Sequence, residues 1–343
     1  MWHRQSPSGI LRFRYRRGET VPYFPDELRK CVVFLGYKTK TGEERFAGSA
    51  FWISRPLNKG SDMDRAAYLV TAAHVIDDVE KECAPNDKSV RVRLNFMGKT
   101  QDWMDTPSRF WKRHSDYPRV DLAVLDCELE HSMDHIAWGV EGIFGNGPLD
   151  PESDRNLELG DEILFPGLFH PHMGKARNIP IVRVGNIAAL REETVLNRNG
   201  NPMDAYLVES RSIGGLSGSP VFVDLAALKR VHQPVAGTMA AGSEMLPFWR
   251  RFKLIGVIHG HFDWEDKVPD GAIKESKLGI NTGIAMVIPS EKILENLDFA
   301  MRTETRTDAK RPLFVRVGDN TGPQANVTFH VLNSGHKIPG SDR

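Results

Sequence analysis

The sequence predicts a mostly β protein built as two units of similar length. Its central part is a series of short apolar runs rich in Val, Ile and Phe, separated by Gly, Pro, Asn and Asp, which is the pattern of strands rather than helices. A Gly-, Pro- and Asp-rich passage, Gly139 to Asn156, divides that series near its middle. The 343 residues, at roughly 100 to 200 per domain, suit two packed units.

In chain order, residues 1–26 form a basic arm with arginines at 4, 12, 14, 16 and 17. It lacks the apolar run of about seven residues that a secretory signal needs. Glu19 and the absence of helical periodicity argue against an organelle-targeting helix, so the arm reads as solvated. The first unit, 27–150, holds the runs Cys31 to Leu35, Ser49 to Ile53, Ala67 to Val70, Val90 to Phe96 and Leu122 to Leu125, with a helical turn after His74. The second, 151–301, holds Ile163 to Phe165, Ile181 to Val184, Ala205 to Val208, Val221 to Val223 and Leu254 to Ile258. It ends in a helix from Ser290 to Met301, where Ser290 caps and Ile293, Leu294, Leu297 and Met301 share one face. Residues 302–343 read as a polar tail. No repeat of fixed period is present.

Composition narrows the function. Lys plus Arg and Asp plus Glu are 45 each, so no global field draws the chain to nucleic acid or an anionic membrane. No stretch approaches the roughly 20 apolar residues of a membrane span. The 3 cysteines, Cys31, Cys83 and Cys127, suit neither a disulfide framework nor a zinc site, and a reducing, cytoplasmic setting is expected. His131 with His135, His170 with His172 and His259 with His261 have spacings a metal can use, but no acidic or thiol ligands complete a set. They read as surface histidines, with no metal.

Three segments carry chemistry. Tyr68-Leu-Val-Thr-Ala-Ala-His74 is an apolar strand ending in small residues that leave room around an imidazole. Arg119-Val-Asp121-Leu-Ala-Val-Leu125 puts an aspartate at the entrance to a buried strand, where it can orient a histidine or simply make a turn. Ile213-Gly-Gly-Leu-Ser217-Gly-Ser-Pro-Val-Phe222 surrounds a serine with glycines, allowing a sharp turn that exposes the hydroxyl and aims successive N–H groups at one point. The immediate return to a strand is not how a linker behaves.

In that order the three segments resemble the catalytic signatures of chymotrypsin-like serine peptidases; subtilisin-like and α/β-hydrolase enzymes order theirs differently. Phe46 to Ile53, Leu159 to Ile163 with Pro166-Gly167, Leu254 to Ile258 and Thr282 to Pro289 resemble further strands of that family. The resemblance implies an all-β fold of two antiparallel β-barrels with a C-terminal helix, 27–150 carrying His74 and Asp121 and 151–301 carrying Ser217. It implies Ser217 as nucleophile, His74 as general base, Asp121 as orienting group and the N–H groups of Gly215 and Ser217 as oxyanion hole. Ser219 lies in the same turn as a rival nucleophile.

The chain is most similar to the bacterial branch, including HtrA-like and glutamyl endopeptidase proteins, but leaves no room for a PDZ domain after the catalytic unit. The implied function is a serine endopeptidase that needs no cofactor and acts on a protein or peptide. The alternatives are a protease-like binding module, or a protease latent until a partner activates it. By the family's geometry the primary pocket involves Arg211, Ser212 and the strand from Ile258 to His261. Arg211, His259 and His261 would suit an acidic side chain, unless Arg211 is solvated or pairs with Glu209. Glutamyl enzymes carry a histidine directly after Gly-Ile, whereas Val257 and Ile258 here precede His259, a shift that turns a side chain to the other face. The segment Gly237 to Arg251 reads as a loop over the cleft or a packed excursion. The aromatic-interleaved arginines of the arm read as a solvated face, with no nucleic acid expected.

Overall fold

The computed structural model describes residues 26–57, 65–83, 88–98, 100–143, 157–197, 200–210, 215–224, 252–264, 280–304 and 315–316. Residues 1–25 of the basic arm, the segment 237–251 and the last 27 residues, 317–343, lie outside them.

The first unit begins with a single helical turn, α1 (Asp26–Lys30), followed by β1 (Val32–Lys38), β2 (Glu44–Pro56), β3 (Arg65–Thr71), α2 (Ala73–Glu82), β4 (Ser89–Leu94), β5 (Asp102–Pro107), β6 (Lys112–Arg113), β7 (Ala123–Asp126) and β8 (Trp138–Gly139). The second contains β9 (Glu162–Gly167), β10 (Ile181–Ala189), β11 (Val195–Leu196), β12 (Pro202–Met203), β13 (Tyr206–Glu209), β14 (Pro220–Asp224), β15 (Phe252–Trp264), β16 (Ile280–Pro289) and the closing helix α3 (Glu291–Glu304). β17 (Val315–Arg316) follows within the segment read as a tail, and pairs with β5.

The mostly β reading holds. Strands β9, β10, β13, β16, β15 and β14 close a six-stranded antiparallel barrel. The first unit is a curled sheet in the order β17-β5-β4-β1-β2-β3-β7-β6, with β8 alongside β2 in parallel. Every apolar run anticipated from sequence overlaps a strand, although Cys31, Asn95, Phe96, Leu122 and Ala205 fall just outside the strand ends. β2 is longest in the first unit because Ser49 to Ile53 is buried on both faces, which only a central strand allows. Part of the divider is packed structure: Trp138–Gly139 pairs with β2, and Ile143 is fully buried and bridges to Leu254.

One core is shared by the two units. Phe34, Phe51 and Trp138 from the first meet Phe222, Phe252 and Leu254 from the second, with Ile293 and Leu297 of α3 closing one side. Trp138 and Phe222 stack edge to face at 5.0 Å. Burying each such side chain contributes about 1.5 to 3 kcal/mol, and that packing fixes how the two sheets face one another. The three cysteines are free and buried, and burial pushes the Cys31 and Cys127 thiols up, which makes them inert core residues.

The surface reading of the paired histidines fails for His135. It is buried, with Nδ1–H donating to the Lys30 carbonyl at 2.9 Å and Nε2 accepting the Asn95 N–H at 2.8 Å. Desolvation lowers its pKa to about 4, so it is a neutral structural imidazole.

Candidate active site

His74 stands on the first turn of α2, one residue after that helix starts. Ala72, at the N-cap position, has no side chain that can cap. Asp121 fills that role from across the sheet. β3 pairs with β7 so that Thr71 opposes Ala123, which brings Asp121, two residues earlier, to the helix start. Asp121 Oδ1 accepts the His74 N–H at 2.7 Å, and its carbonyl accepts the Ala73 N–H at 3.3 Å. A carboxylate at a helix N-terminus is also favoured by the helix dipole.

The second oxygen, Asp121 Oδ2, accepts from His74 Nδ1 at 2.5 Å and from His259 Nδ1 in a second short contact. The two imidazoles meet edge to face, ring centres 5.1 Å apart. Burial alone would push the Asp121 carboxyl up. The hydrogen bonds from His259 and His74, reinforced by their charges, instead hold it well below the usual carboxylate range. An ionised carboxylate only accepts, so both Nδ1 atoms are donors and the neutral His74 presents a bare Nε2. Burial pulls the His74 pKa down, but the hydrogen bond and charge of Asp121, with the charges of Asp78 and Asp77, leave it raised.

His74, Asp121 and His259 also form a trio of metal-capable groups, assembled from three segments and therefore invisible to spacing along the chain. Two ligands of one zinc ion stand about 3 Å or more apart, given bonds of about 2.0 to 2.2 Å. The 2.5 Å contact between His74 and Asp121 is that of a hydrogen bond, so the trio is arranged around protons rather than a cation.

Ser217 sits in a tight turn between Gly215, at φ +100°, and Gly218, at φ +84°. A side chain at Gly218 would come within 2.1 Å of the Ser49 carbonyl and 2.3 Å of Thr71 Oγ1. Only glycine lets the turn approach this closely. The Ser49 N–H donates to the Ser217 carbonyl and Ser49 Oγ to the Gly215 carbonyl, both at 2.9 Å, while Oγ accepts the Leu168 N–H at 2.9 Å. Gly48, between these groups, lies against the Ser217 carbonyl and Val75. The serine turn thus lies against Ser49 of β2 and Thr71 at the end of β3, the strand that leads into His74, with Gly48 between the Ser217 carbonyl and Val75. Among the described residues the Ser217 hydroxyl carries no hydrogen bond.

The N–H groups of Gly218 and Ser219 are engaged by the carbonyls of Ile258 and Leu216, whereas no described backbone group accepts from Gly215 or Ser217. Ser219 is fully buried, and its hydroxyl faces Gly167. Ser217 is half-buried.

The expected pocket residues have different fates. Arg211 and Ser212 lie outside the described residues. Ile258 is fully buried in the barrel core, with its N–H on the Ser219 carbonyl and its carbonyl on the Gly218 N–H, so it fastens the serine turn and has no surface to offer a substrate. His261 is half-buried on β15. His259, placed by sequence in the pocket or on the surface, turns its Nδ1 to Asp121. The two apolar residues ahead of it, Val257 and Ile258, were the one sign of that turn. Ser49 carried no catalytic signal of its own; it lies inside the apolar strand Phe46 to Ile53.

Among solved structures, the chain is similar to the MamO protease domain from Magnetospirillum magneticum at 11% identity, covering 78% of this chain and 96% of that one, with a TM-score of 0.42. It is similar to Deg5 at 16% identity, covering 78% and 87%, TM-score 0.41. It is also similar to a thermostable serine protease, AL20, from an extremophilic microorganism at 12% identity, covering 80% and 98%, TM-score 0.41. These structure neighbours are trypsin- and chymotrypsin-like serine proteases. No family model matches the sequence, and no curated protein does.

Proposed function

We propose that this chain is a serine endopeptidase in which Ser217, His74 and Asp121 act on peptide bonds of a protein or peptide. The observation that carries this reading is the docking of the Ser217 turn onto Ser49 and Thr71, the latter ending the strand that leads into His74, whose ring is held by buried, ionised Asp121. Ser217 Oγ attacks the scissile carbonyl carbon as His74 Nε2 takes the hydroxyl proton. The resulting oxyanion is stabilised by the N–H groups of Gly215 and Ser217, which no described backbone acceptor uses. The tetrahedral adduct collapses, breaking the C–N bond; His74 gives its proton to the departing amine and an acyl-enzyme remains. Water, deprotonated by His74, then attacks the ester carbonyl; the second tetrahedral adduct collapses, breaking the C–O bond to Ser217, and His74 gives its proton to Ser217 Oγ as the acid is released. Asp121 stays ionised throughout and holds the imidazole in the tautomer with Nδ1 protonated. The reaction uses no cofactor.

The test is intact mass after treatment with a serine-reactive fluorophosphonate, on the wild type and on Ser217→Ala. One adduct on the wild type and none on the variant is the expected result. A folded wild type that takes no adduct would overturn a self-sufficient peptidase and leave a binding module or a partner-activated protease.

A further inference from the structure

The barrel strand β15 touches both halves of the site through consecutive residues. Ile258 exchanges backbone hydrogen bonds with Gly218 and Ser219, at 2.8 and 2.9 Å, and so fixes the height of the Ser217 turn. His259, next along, donates Nδ1–H to Asp121, which belongs to the other unit. Asp121 is 3% exposed, and a carboxylate so buried is costly unless each oxygen is satisfied. Oδ1 has the His74 backbone N–H; Oδ2 has His74 Nδ1 and His259 Nδ1. Without His259, the oxygen that orients the base would have His74 as its one hydrogen-bond donor among the described residues, with no tie to the barrel that carries the nucleophile.

We propose that His259 is a positioning residue of the site: by clamping Asp121 Oδ2 from β15, it locks the His74 ring at a set place relative to Ser217. The inference rests on the peptidase reading for its kinetic consequence, but not for its geometry. His259 acts through Asp121 and transfers no proton in the reaction. What the clamp requires is an N–H at the Nδ1 position, which an asparagine amide supplies and a leucine does not.

Two variants and two readouts test this. His259→Leu should lower kcat about 10- to 100-fold with KM little changed, as loss of an orienting partner typically does. His259→Asn should recover most of that loss. In parallel, the low-field proton spectrum should contain the His74 Nδ1–H resonance, identified by its absence in His74→Ala. That resonance should persist in His259→Asn and broaden or vanish in His259→Leu. Unchanged kcat in a folded His259→Leu, an effect on KM alone, or equal losses in both variants with the resonance intact would each overturn the proposal. If the wild type takes no fluorophosphonate, the peptidase reading fails and the spectrum decides alone. A resonance lost with leucine and kept with asparagine sustains the clamp, and one indifferent to both refutes it.

Discussion

The two halves of the site are held in different ways. The His74–Asp121 half is fixed by side chains: one buried carboxylate caps α2 and receives two imidazoles, so both of its oxygens have named partners. The Ser217 half is fixed by backbone: glycines at positive φ, a carbonyl held by Ser49 and two bonds to Ile258, with the Ser217 hydroxyl itself unbonded among the described residues. The acid–base half can therefore be built by the first unit almost alone. The nucleophile half exists only when both units are docked, since Ser49 belongs to β2 and Ile258 to β15.

The largest effect should come from breaking the acid–base half. Asp121→Asn replaces an acceptor-only group by one with an acceptor and a donor. If the amide oxygen keeps the His74 N–H, its NH2 faces two imidazoles, and His74 must turn Nδ1 into an acceptor and carry its proton on Nε2. It can then no longer take the serine proton. kcat should fall about 10,000-fold. Fluorophosphonate labelling should slow in parallel while the urea midpoint moves far less. A variant that labels at the wild-type rate would mean Asp121 is only a helix cap.

Breaking the nucleophile half calls for a backbone change. Gly218→Ala forces a Cβ into Ser49 O and Thr71 Oγ1 at a φ that disfavours side chains. The cost should be about 4 kcal/mol, from the left-handed conformation and overpacking together. Urea unfolding should show that loss, and the adduct should disappear even where the protein remains folded. The low-field His74 resonance should survive, because nothing in the other half has changed. If it were lost as well, the two halves would be one cooperative unit.

How far the sequence reveals this arrangement follows the same division. The strands, the closing helix and the spacing of His74, Asp121 and Ser217 are legible because apolar alternation, small residues before the histidine and glycines around the serine are local signals. β5 is not legible: Asp-Trp-Met-Asp-Thr-Pro reads as polar, and it is a strand because β4 pairs with it. His259 and Ser49 are missed for a related reason, since their roles are defined by partners 138 and 166 positions away. His135 looks like a surface histidine in sequence because both atoms that make it structural, the Lys30 carbonyl and the Asn95 N–H, are backbone groups that any residue carries.

His74 and His135 respond to acid in opposite senses, which separates loss of catalysis from loss of fold. The His74 pKa is raised above 6.5, so activity, which needs the neutral ring, should already be falling at a midpoint above that value. The native His135 pKa is lowered from 6.5 to about 4. Between those values the unfolded chain binds a proton that the native one does not, so stability falls as pH drops through that window, by about 3 kcal/mol in all. kcat/KM against pH and urea unfolding against pH should show activity failing first. His135→Gln should flatten the unfolding curve between pH 6.5 and 4 and leave the kinetic midpoint in place. A kinetic midpoint that moves with it would assign the acid limb to the fold.

The smallest change tests how much the nucleophile half depends on one hydroxyl. Ser49→Ala keeps the backbone N–H that holds the Ser217 carbonyl. It removes the Oγ that donates to Gly215 O and accepts from Leu168 N–H, leaving two polar groups in a buried site without a partner. Loss of such partners costs about 1 to 3 kcal/mol, so the urea-derived stability should drop by about 2 kcal/mol. The kinetic effect discriminates further. On the peptidase reading, the Gly215 N–H is one oxyanion donor; Ser49 Oγ holds the carbonyl of the same residue, in the adjoining peptide unit, so losing that bond loosens the Gly215 backbone and acylation should slow about tenfold or more. Unchanged acylation at reduced stability would mean that the backbone bonds from residue 49 and Ile258 hold the turn in its reactive shape, and that the Ser49 hydroxyl serves only to join the two units.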